Sequence, residues 1–463
     1  MIQLFRVFIP TSILGLILSE TLLTFGCFIA AIWLDRSEEW QLYLLYEDGL
    51  LRVAAVTASI LLGFYFTDLY ANTRVRNRTL LVQQVCLVLG IAFLIQGVMA
   101  YINADWRLPR WTMMTGSAFC LVVLPAWHIF YGHLLLSLFG AERVLFIGCS
   151  PVIRQIVERI QERPELGFVP IGYLNAEQGT AECTDFPCRP MGPIQKVRQV
   201  VAAARPARIV VGMSERRHQL PVYDLLDLSL SGVRIEESAA LYEIAFGRIC
   251  IHELRPSQLI FNQFGPRNRN LLLRNGLNFL AAFLGVLMAL PVMLVTALAV
   301  KLTSAGPVLF RQTRVGLNDR PFTLFKFRSM YVDAEAHTGA VWATQDDPRV
   351  TPLGRWLRRL RLDELPQLFN VLRGEMALVG PRPERPEFVQ TLREQIPFYR
   401  QRHAVLPGIT GWAQINYKYG NTLDDTVMKL EYDLYYIKHA SLALDLYIMF
   451  HTVKTMLLQR GAH

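Results

Sequence analysis

The stretch "RVLFIGCSPVIRQIVERI", residues 143–160, decides the fold of the middle of the chain. It begins with an apolar run of strand length and continues through a glycine turn into apolar residues at helical spacing. Two further apolar runs, "FVPIGYL" at 168–174 and "ARIVVGM" at 207–213, are separated by helical patterns. Strands that alternate with helices predict an α/β domain with a parallel, Rossmann-like sheet over residues 141–264.

The turn after the first predicted strand bears on nucleotide binding. The positions of a G-x-G-x-x-G fingerprint would be Gly148, Ser150 and Ile153, so only the first glycine is present. The later glycines allow the backbone to approach a pyrophosphate and the helix to pack closely. We therefore expect no cofactor site in this domain, and we predict a regulatory or scaffolding role for it.

The first 140 residues contain four long apolar stretches. Each can supply the ~20 apolar residues that a membrane-spanning helix needs. The first is too long for a signal-peptide core and has no small-residue cleavage site before its acidic flank, so we expect it to be retained. The sequence thus predicts a four-helix transmembrane region at residues 1–140. The stretches are Val7–Leu34, Leu50–Tyr70, Leu80–Tyr101 and Trp111–Leu138.

The charges between these stretches predict their orientation. The segment 35–48 holds five acids and one arginine, whereas Arg74, Arg76 and Arg78 lie in a loop without an acid. Basic loops stay on the cytoplasmic side of a membrane. We therefore expect the N terminus and everything after Leu138 to be cytoplasmic.

A fifth apolar stretch, Leu277–Val300, follows the predicted sheet domain. Basic residues flank both of its ends, with Arg274 before it and Lys301 after it. Pro291 lies inside it and cannot donate a helical hydrogen bond. The pattern favours a re-entrant element of two half-helices bent near Pro291, and an ordinary kinked span is the alternative.

Composition restricts the class of protein and its partners. Of 463 residues, 52% are hydrophobic and 18% charged, and the net charge is +9. In so apolar a chain, this charge suits anionic lipid headgroups and phosphorylated substrates. We expect no nucleic-acid partner, because no basic stretch is interleaved with aromatic residues. The seven scattered cysteines complete no zinc-ligand pattern.

The last third of the chain contains several distinctive phrases. They are "GPVLFRQTRVG" (306–316), "FTLFKFRSM" (322–330), "DDPRVTPLGRWLRRLRLDELPQLFNVLRGEMALVGPRP" (346–383), "PGITGWAQIN" (407–416) and "YDLYYIKHASLALDLYIMFHTVKTML" (432–457). This part closely resembles the bacterial sugar transferase family, the monotopic polyprenyl-phosphate phosphoglycosyl transferases. The whole layout resembles the long, multi-domain members that start exopolysaccharide, capsule or O-antigen synthesis. The resemblance implies a catalytic domain, rich in α-helix, over residues 265–463.

The resemblance also implies a reaction and its partners. A sugar-1-phosphate would move from a UDP-sugar to polyprenyl (undecaprenyl) phosphate, giving polyprenyl-diphosphate-sugar and UMP. The family route is covalent and uses an Asp-Glu dyad with Mg²⁺, and Asp363 and Glu364 match that dyad. The expected location is the cytoplasmic face of a bacterial inner membrane, in contact with lipid. A homodimer is one expected assembly.

The dyad residues make chemical sense of such a route. A carboxylate can attack phosphorus and so divide one displacement into two. Mg²⁺ would offset the repulsion between the carboxylate and an anionic diphosphate. We assign the nucleophile to Asp363, and a metal-ligand or proton-acceptor role to Glu364. The sequence leaves that division of roles open.

Three basic residues are candidates for binding phosphate. Arg382 lies between two prolines that restrict its backbone, and it matches the family's Pro-Arg-Pro loop. Lys326 and Arg328 occupy alternating positions of a predicted strand and so should face one side. The alternatives are a structural salt bridge for Arg382 and a solvated face for the other two.

Two other functions remain open at this point. A glycosyltransferase would move only the sugar to the lipid phosphate and would release UDP. A non-catalytic membrane scaffold could be built on a decayed domain. The intact Asp363–Glu364 pair and the intact Pro381–Pro383 loop argue against decay.

Overall fold

The computed structural model of the protein describes most of the chain, in two compact units. One unit comprises Met1–Gln3 with Phe8–Ser238, and the other comprises Leu4–Val7 with Ala239–His463. The described residues are 2–4, 7–9, 11–67, 69–71, 78–103, 107–138, 141–175, 186–212, 220–261, 271–332, 334, 347–417, 420 and 422–457.

The N-terminal region is mostly helical, with two short strands before its first helix. Its elements are β1 (Ile2–Leu4), β2 (Val7–Ile9), α1 (Thr11–Asp35), α2 (Trp40–Tyr46), α3 (Gly49–Phe66), α4 (Arg78–Ile102) and α5 (Arg110–Leu138). The four longest of these helices are long and apolar enough to cross a membrane. They coincide with the four predicted stretches, although α1 begins four residues after Val7 because β2 precedes it. Arg74 and Arg76, on which the predicted orientation depends, lie outside the described residues.

A buried polar pair lies among these apolar helices. Glu20 of α1 and His128 of α5 meet at 2.9 Å between Oε1 and Nδ1, and both side chains are 1% exposed. Polar side chains inside an apolar bundle are stable when they pair with each other. The pair therefore fixes α1 against α5 at one point along their contact.

The sheet domain has the predicted α/β pattern. Its elements are β3 (Glu142–Ile147), α6 (Pro151–Glu162), β4 (Phe168–Asn175), β5 (Pro190–Pro193), α7 (Val197–Ala204), β6 (Arg208–Val211), α8 (Val222–Leu230) and β7 (Arg234–Glu237). The five strands form one parallel sheet in the order β5-β4-β3-β6-β7. The predicted parallel sheet is therefore confirmed. Because β3 and β6 are covered on both faces, their apolar residues are fully buried.

The turn after β3 shows what replaces the missing glycines. Gly148 has a φ of 94°, which a glycine adopts without strain. Ser150 caps α6 by accepting a hydrogen bond from the backbone N–H of Ile153. The side chain of Ile153 is fully buried and fills the space beside Gly212, where an added Cβ would lie 2.5 Å from its Cδ1. Helix and sheet thus pack through a side chain at this position.

The second unit is built from short strands and many helices. Its elements are α9 (Ser238–Phe246), α10 (Pro256–Phe261), α11 (Leu271–Thr303), β8 (Leu309–Val315), β9 (Pro321–Phe327), α12 (Pro352–Arg359), α13 (Gln367–Leu372), β10 (Ala377–Val379), α14 (Pro386–Gln395), β11 (Gly408–Thr410), α15 (Trp412–Asn416), α16 (Leu423–His439) and α17 (Leu442–Leu457). Strands β8 and β9 are antiparallel, and β10 and β11 are parallel. Its largest apolar cluster packs α15, α16 and α17 together, with Trp412 stacked on Tyr435.

Helix α11 differs from its prediction in one respect. The sequence predicts two half-helices, but the structure has a single uninterrupted helix from Leu271 to Thr303 that passes through Pro291. A proline removes one hydrogen bond from a helix, and in membrane helices neighbouring groups commonly tolerate that loss. Pro291 therefore does not end the helix.

Both ends of α11 pack against the second unit. Near its start, Arg274 forms an ion pair with Asp445 of α17, and the side-chain oxygen of Asn278 accepts the backbone N–H of Leu378 at 3.1 Å. Near its end, Val300 is buried in a cluster with Phe327 and Leu357. The two ends of the helix are thus held by the same folded unit.

Candidate active site

The acidic pair lies in a tight turn between two helices. Helix α12 ends at Arg359, and Arg361 adopts a left-handed conformation with φ 57°. A 3-10 turn at Leu362–Glu364 follows, and α13 begins at Gln367. Asp363 and Glu364 are only 6% and 9% exposed, so the pair is not a solvated surface feature. Successive residues of a 3-10 turn point about 120° apart, which sends the two carboxylates in different directions.

Glu364 points toward three cations. Its Oε1 accepts from Arg382 Nη2 at 2.6 Å and from Lys326 Nζ at 3.1 Å. Its Oε2 lies 3.7 Å from Arg361 Nη1. Burial alone would raise the pKa of this carboxyl, but these three cations hold it far below its usual range. Glu364 is therefore ionised, and it fixes the positions of the three cations.

Asp363 has a different environment. Among the described residues, its carboxylate makes no hydrogen bond and no ion pair. Burial raises its pKa, and the charge of Glu364 adds to that effect, although Lys326, Arg358 and Arg382 oppose it. A buried carboxylate without a protein partner retains its oxygens for a ligand, which is what a nucleophile or a metal ligand requires.

The loop that carries Arg382 is held by its backbone. Four consecutive carbonyls, from Pro381 to Glu384, each accept a hydrogen bond from another segment. The donors are the N–H of Gly408 (3.0 Å), Arg402 Nη2 (2.9 Å), Arg314 Nη1 (3.1 Å) and the N–H of Val315 (2.9 Å). Because the prolines donate nothing, these four bonds give a loop without regular structure a defined position.

Glycines bring β10 and β11 close enough to place this loop. The N–H of Gly380 donates to the carbonyl of Thr410 at 2.9 Å, directly before the Pro-Arg-Pro segment. A Cβ added to Gly408 would lie 2.1 Å from the backbone nitrogen of Gly380. Any side chain at residue 408 would therefore push the Arg382 loop away from its partners.

A buried ion pair supports the same loop from behind. Arg402 pairs with Asp433 of α16 at 2.9 Å and donates to the Tyr399 hydroxyl at 2.6 Å. Burial raises the pKa of Asp433 to about 6, although Arg402 opposes that shift. The same guanidinium donates to the carbonyl of Arg382, so it links a buried charge to the residue that contacts Glu364. Sequence reasoning missed both members of this pair.

The two strand-end cations go to different places. Lys326 of β9 reaches Glu364, in the site predicted for it. Arg328 was expected on the same side, but β9 ends at Phe327 and the alternation ends with it. The Arg328 guanidinium is instead buried, and it donates to the carbonyls of Ser304 and Ala305 just after α11. Its position fits the end of that helix and not the dyad.

The arginines around the dyad also divide in ways the sequence did not reveal. Arg358, near the end of α12, donates from its Nε to Ser329 Oγ at 2.9 Å, and burial lowers its pKa. Its charge acts on Asp363. Arg373 lies over the ring of Phe325, 4.9 Å from the centroid. The apolar side chains of α12 differ in exposure, because Leu357 is buried while Trp356 is 62% exposed.

The donor set of this site suits a hard cation. Carboxylate oxygens are ligands that Mg²⁺ accepts, and Mg²⁺ commonly uses one or two of them together with substrate phosphates. Within the part of the chain that the structure describes, no group of three or more His, Cys, Asp or Glu could hold a metal. A metal bound at the dyad would therefore need oxygens from outside the protein, such as those of a phosphate.

Known proteins with similar sequences agree on one family. The family described as Bacterial sugar transferase matches residues 269–459. A UDP-N-acetylgalactosamine-undecaprenyl-phosphate N-acetylgalactosaminephosphotransferase of Aeromonas hydrophila is 36% identical over 386 residues, covering 80% of this chain and 86% of the relative. An undecaprenyl-phosphate glucose phosphotransferase of Komagataeibacter xylinus is 38% identical, covering 70% of this chain and 60% of the relative. A UDP-glucose:undecaprenyl-phosphate glucose-1-phosphate transferase of Escherichia coli K12 is 35% identical, covering 67% and 66%. The chain, with its buried Asp-Glu pair and pinned Pro-Arg-Pro loop, belongs to the bacterial sugar transferase family.

Proposed function

We propose that this protein transfers a sugar-1-phosphate from a UDP-sugar to undecaprenyl phosphate, releasing UMP, as the first membrane step of a surface polysaccharide. The observation that carries the proposal is the difference between the environments of the two dyad carboxylates. Glu364 is matched by three cations, whereas Asp363 is buried and without a partner among the described residues. The names of the relatives supply the substrate class, a UDP-hexose or UDP-N-acetylhexosamine.

In the proposed first step, a carboxylate oxygen of Asp363 attacks the β-phosphorus of the UDP-sugar. The bond between that phosphorus and the bridging oxygen breaks, and UMP leaves with the electron pair. The sugar phosphate remains on Asp363 as an acyl phosphate. Arg382 and Lys326, held by Glu364, lie where they can offset the charge that develops on the phosphate oxygens.

In the proposed second step, an oxygen of undecaprenyl phosphate attacks the same phosphorus. The bond between phosphorus and the Asp363 oxygen breaks, so the carboxylate is regenerated and the diphosphate link to the lipid forms. A buried position would weaken the solvation of the nucleophile by water and exclude water that could hydrolyse the acyl phosphate. The low exposure of Asp363 supports this role.

Mg²⁺ is part of the proposal. When bound, it would supply positive charge that lets an anionic carboxylate approach an anionic diphosphate. Asp363 and Glu364 are the residues that would hold it, since their oxygens are the acidic ligands of the site. Arg358 and Arg382 place further positive charge around Asp363.

We also propose a membrane arrangement. The four N-terminal helices would span the inner membrane, and the sheet domain and dyad would lie on its cytoplasmic side. Helix α11 would remain one helix but bend at Pro291 within the membrane, so that both of its ends return to the same leaflet; those ends pack on one folded unit through Arg274 and Val300. Engineered cysteines just before Leu277 and just after Val300 should then react with an impermeant label from the same side. Labelling from opposite sides would show an ordinary span.

The nucleotide product decides the reaction class. Purified protein in detergent or nanodiscs, given Mg²⁺, undecaprenyl phosphate and a panel that includes UDP-glucose and UDP-N-acetylgalactosamine, should release UMP with at least one donor. Release of UDP would indicate a glycosyltransferase instead. No nucleotide release with any donor, in protein shown to be folded, would favour a scaffold.

A further inference from the structure

A cavity of about 230 Å³ lies beside Glu364 within the second unit. Glu364 forms part of its lining, together with the turn after α12, helix α13, strand β11, helix α15 and the end of α17. Its apolar walls are Leu365, Leu368, Ile409, Ile415 and Met456.

The polar groups of this cavity are arranged unevenly. Arg359 and Arg361 line it, whereas Lys326 and Arg382, the cations on Glu364 Oε1, do not. Arg361 faces the other carboxylate oxygen, Oε2, at 3.7 Å. Glu364 therefore separates two sets of cations, and the active site offers positive charge on two sides of one carboxylate. A reaction that joins a diphosphate donor to a monophosphate acceptor needs two phosphate positions.

The threonine hydroxyls of the cavity use their hydrogens in bonds within the protein. The hydroxyl of Thr452 donates to the carbonyl of Ile448 at 2.7 Å and lies 2.7 Å from the hydroxyl of Thr410. The hydroxyl of Thr455 donates to the carbonyl of His451 at 2.9 Å. With these donors used, the wall formed by β11 and α17 offers mainly methyl groups to an occupant.

The elements around the cavity also carry exposed apolar side chains. On α17, Leu446, Phe450, Val453 and Met456 recur every three or four residues and are each 45–52% exposed, and Met456 also lines the cavity. Leu368 lies against Gly285 of the apolar helix α11, 3.5 Å from the place of an added Cβ. The cavity therefore adjoins surfaces that suit a lipid bilayer.

We infer that this cavity binds the phosphate end of the prenyl acceptor lipid, with its first isoprene units against the apolar walls and its phosphate at Arg361 and Arg359. The inference rests on the proposed function for the identity of the acceptor. Pockets that enclose a drug-sized ligand measure roughly 300–1,000 Å³, so a smaller cavity takes only the head-proximal part of a long chain. The remaining isoprenes would lie in the bilayer.

This assignment gives a reason for the unusual backbone of Arg361. A non-glycine residue at φ 57° costs free energy, and such residues cluster at functional sites. The left-handed conformation ends α12 and turns the Arg361 side chain toward Glu364. From there its guanidinium can hold an acceptor phosphate on the cavity side of Glu364, the residue next to the proposed nucleophile.

The first test fills the cavity. Thr455→Trp places a large side chain in the lining, and Val453→Trp places the same side chain on the exposed face of the same helix. We expect Thr455→Trp to raise the KM for undecaprenyl phosphate at least tenfold. Exchange of labelled UMP into the UDP-sugar without lipid should change less than twofold. Val453→Trp should behave as the unmodified protein in both assays.

The second test removes the proposed phosphate contact. Arg361→Asn keeps a residue that tolerates a left-handed backbone and should raise the acceptor KM at least fivefold more than the donor KM. An unchanged acceptor KM in both variants would overturn the inference, and so would a rise confined to the donor KM. These results differ from failure of the proposed function, in which the unmodified protein itself would release no UMP.

Discussion

Two buried arginines, one in each unit, each bridge several polar groups, but the groups that they connect have different roles. Arg208 of β6 is 3% exposed and bridges Glu142 of β3 and Glu236 of β7, so it ties together three adjacent parallel strands. Arg402 is 7% exposed and bridges Asp433, Tyr399 and the carbonyl of Arg382. In the sheet domain the charge network ends within the sheet, whereas in the second unit it ends on a residue that contacts the dyad.

This difference between the Arg208 and Arg402 networks indicates which buried charges bear on function. In regular structure the backbone groups satisfy one another, so a buried charge there serves packing. In the second unit the Arg382 loop has no regular partner, and side chains such as Arg402 and Arg314 satisfy its carbonyls. Arg402 is a buried cation that holds the carbonyl of Arg382, which contacts the dyad. A change at Arg402 therefore acts on the catalytic candidates as well as on the folded core.

The strongest test of this contrast changes one acid in each region. Asp363→Asn keeps the shape of the side chain but removes the nucleophilic carboxylate, and we expect transfer activity to fall by about 10³-fold or more. Asp224→Asn in the sheet domain removes one partner of Arg198 at the surface, and such surface pairs contribute little to stability. UMP release should therefore stay within twofold of the unmodified protein. Full activity of Asp363→Asn would remove the assigned nucleophile.

The sequence supports the fold and the centre of the site better than its surroundings. The parallel sheet is predictable because buried strands such as Val144–Ile147 are continuous apolar runs. Asp363 and Arg382 are found because the motifs around them are distinctive. By contrast, Arg402 and Asp433 are 31 positions apart along the chain, and no local sequence pattern predicts that they form an ion pair.

The prediction for Arg328 was wrong because a periodic pattern does not show where its element ends. Arg328 continues the alternation of β9 in the sequence, but β9 ends at Phe327 and the Arg328 guanidinium donates to the carbonyls after α11. Arg358, near the end of α12, is likewise placed by a tertiary partner, the hydroxyl of Ser329. Tertiary partners decided both positions.

A second prediction compares the two buried arginines directly. The double change Arg402→Met with Asp433→Leu removes a buried ion pair as a whole, and such replacements are often neutral for stability. It also removes the donor to the Arg382 carbonyl. We expect kcat for UMP release to fall by about tenfold with little change in thermal midpoint, since a misplacement of about 1 Å can cost up to 10²-fold.

The matched change in the sheet domain should give the reverse result. Arg208→Met removes the nearer partner of the buried Glu236 and leaves it only Arg234 at 3.5 Å; breaking a buried pair costs up to about 3–5 kcal/mol. The thermal midpoint should therefore fall, while kcat per folded molecule should stay near that of the unmodified protein. If Arg208→Met lowered kcat and the double variant did not, the proposed coupling through Arg402 would be wrong.

The smallest expected effect concerns His403, which lies beside Arg402. Its ring is buried, and Nδ1 lies 2.7 Å from Asp319 Oδ1. Burial lowers its pKa to about 4; Arg402 and Arg393 act in the same direction, and Asp319 opposes them. Because the folded-state pKa lies below the unfolded value of about 6.5, the folded protein favours the neutral ring. This contribution to stability is fully present above pH 6.5 and is lost as the pH falls toward 4.

His403→Gln tests that contribution, because glutamine can still donate to Asp319 but does not titrate. At about 1.4 kcal/mol per pKa unit, the unmodified protein should lose up to about 3 kcal/mol more than the variant between pH 7 and pH 4. Thermal midpoints of both proteins, measured across this range, should converge as the pH falls. Parallel curves would show that the pKa of His403 is the same in the folded and unfolded protein, and the assigned effect of its burial beside Arg402 would then be wrong.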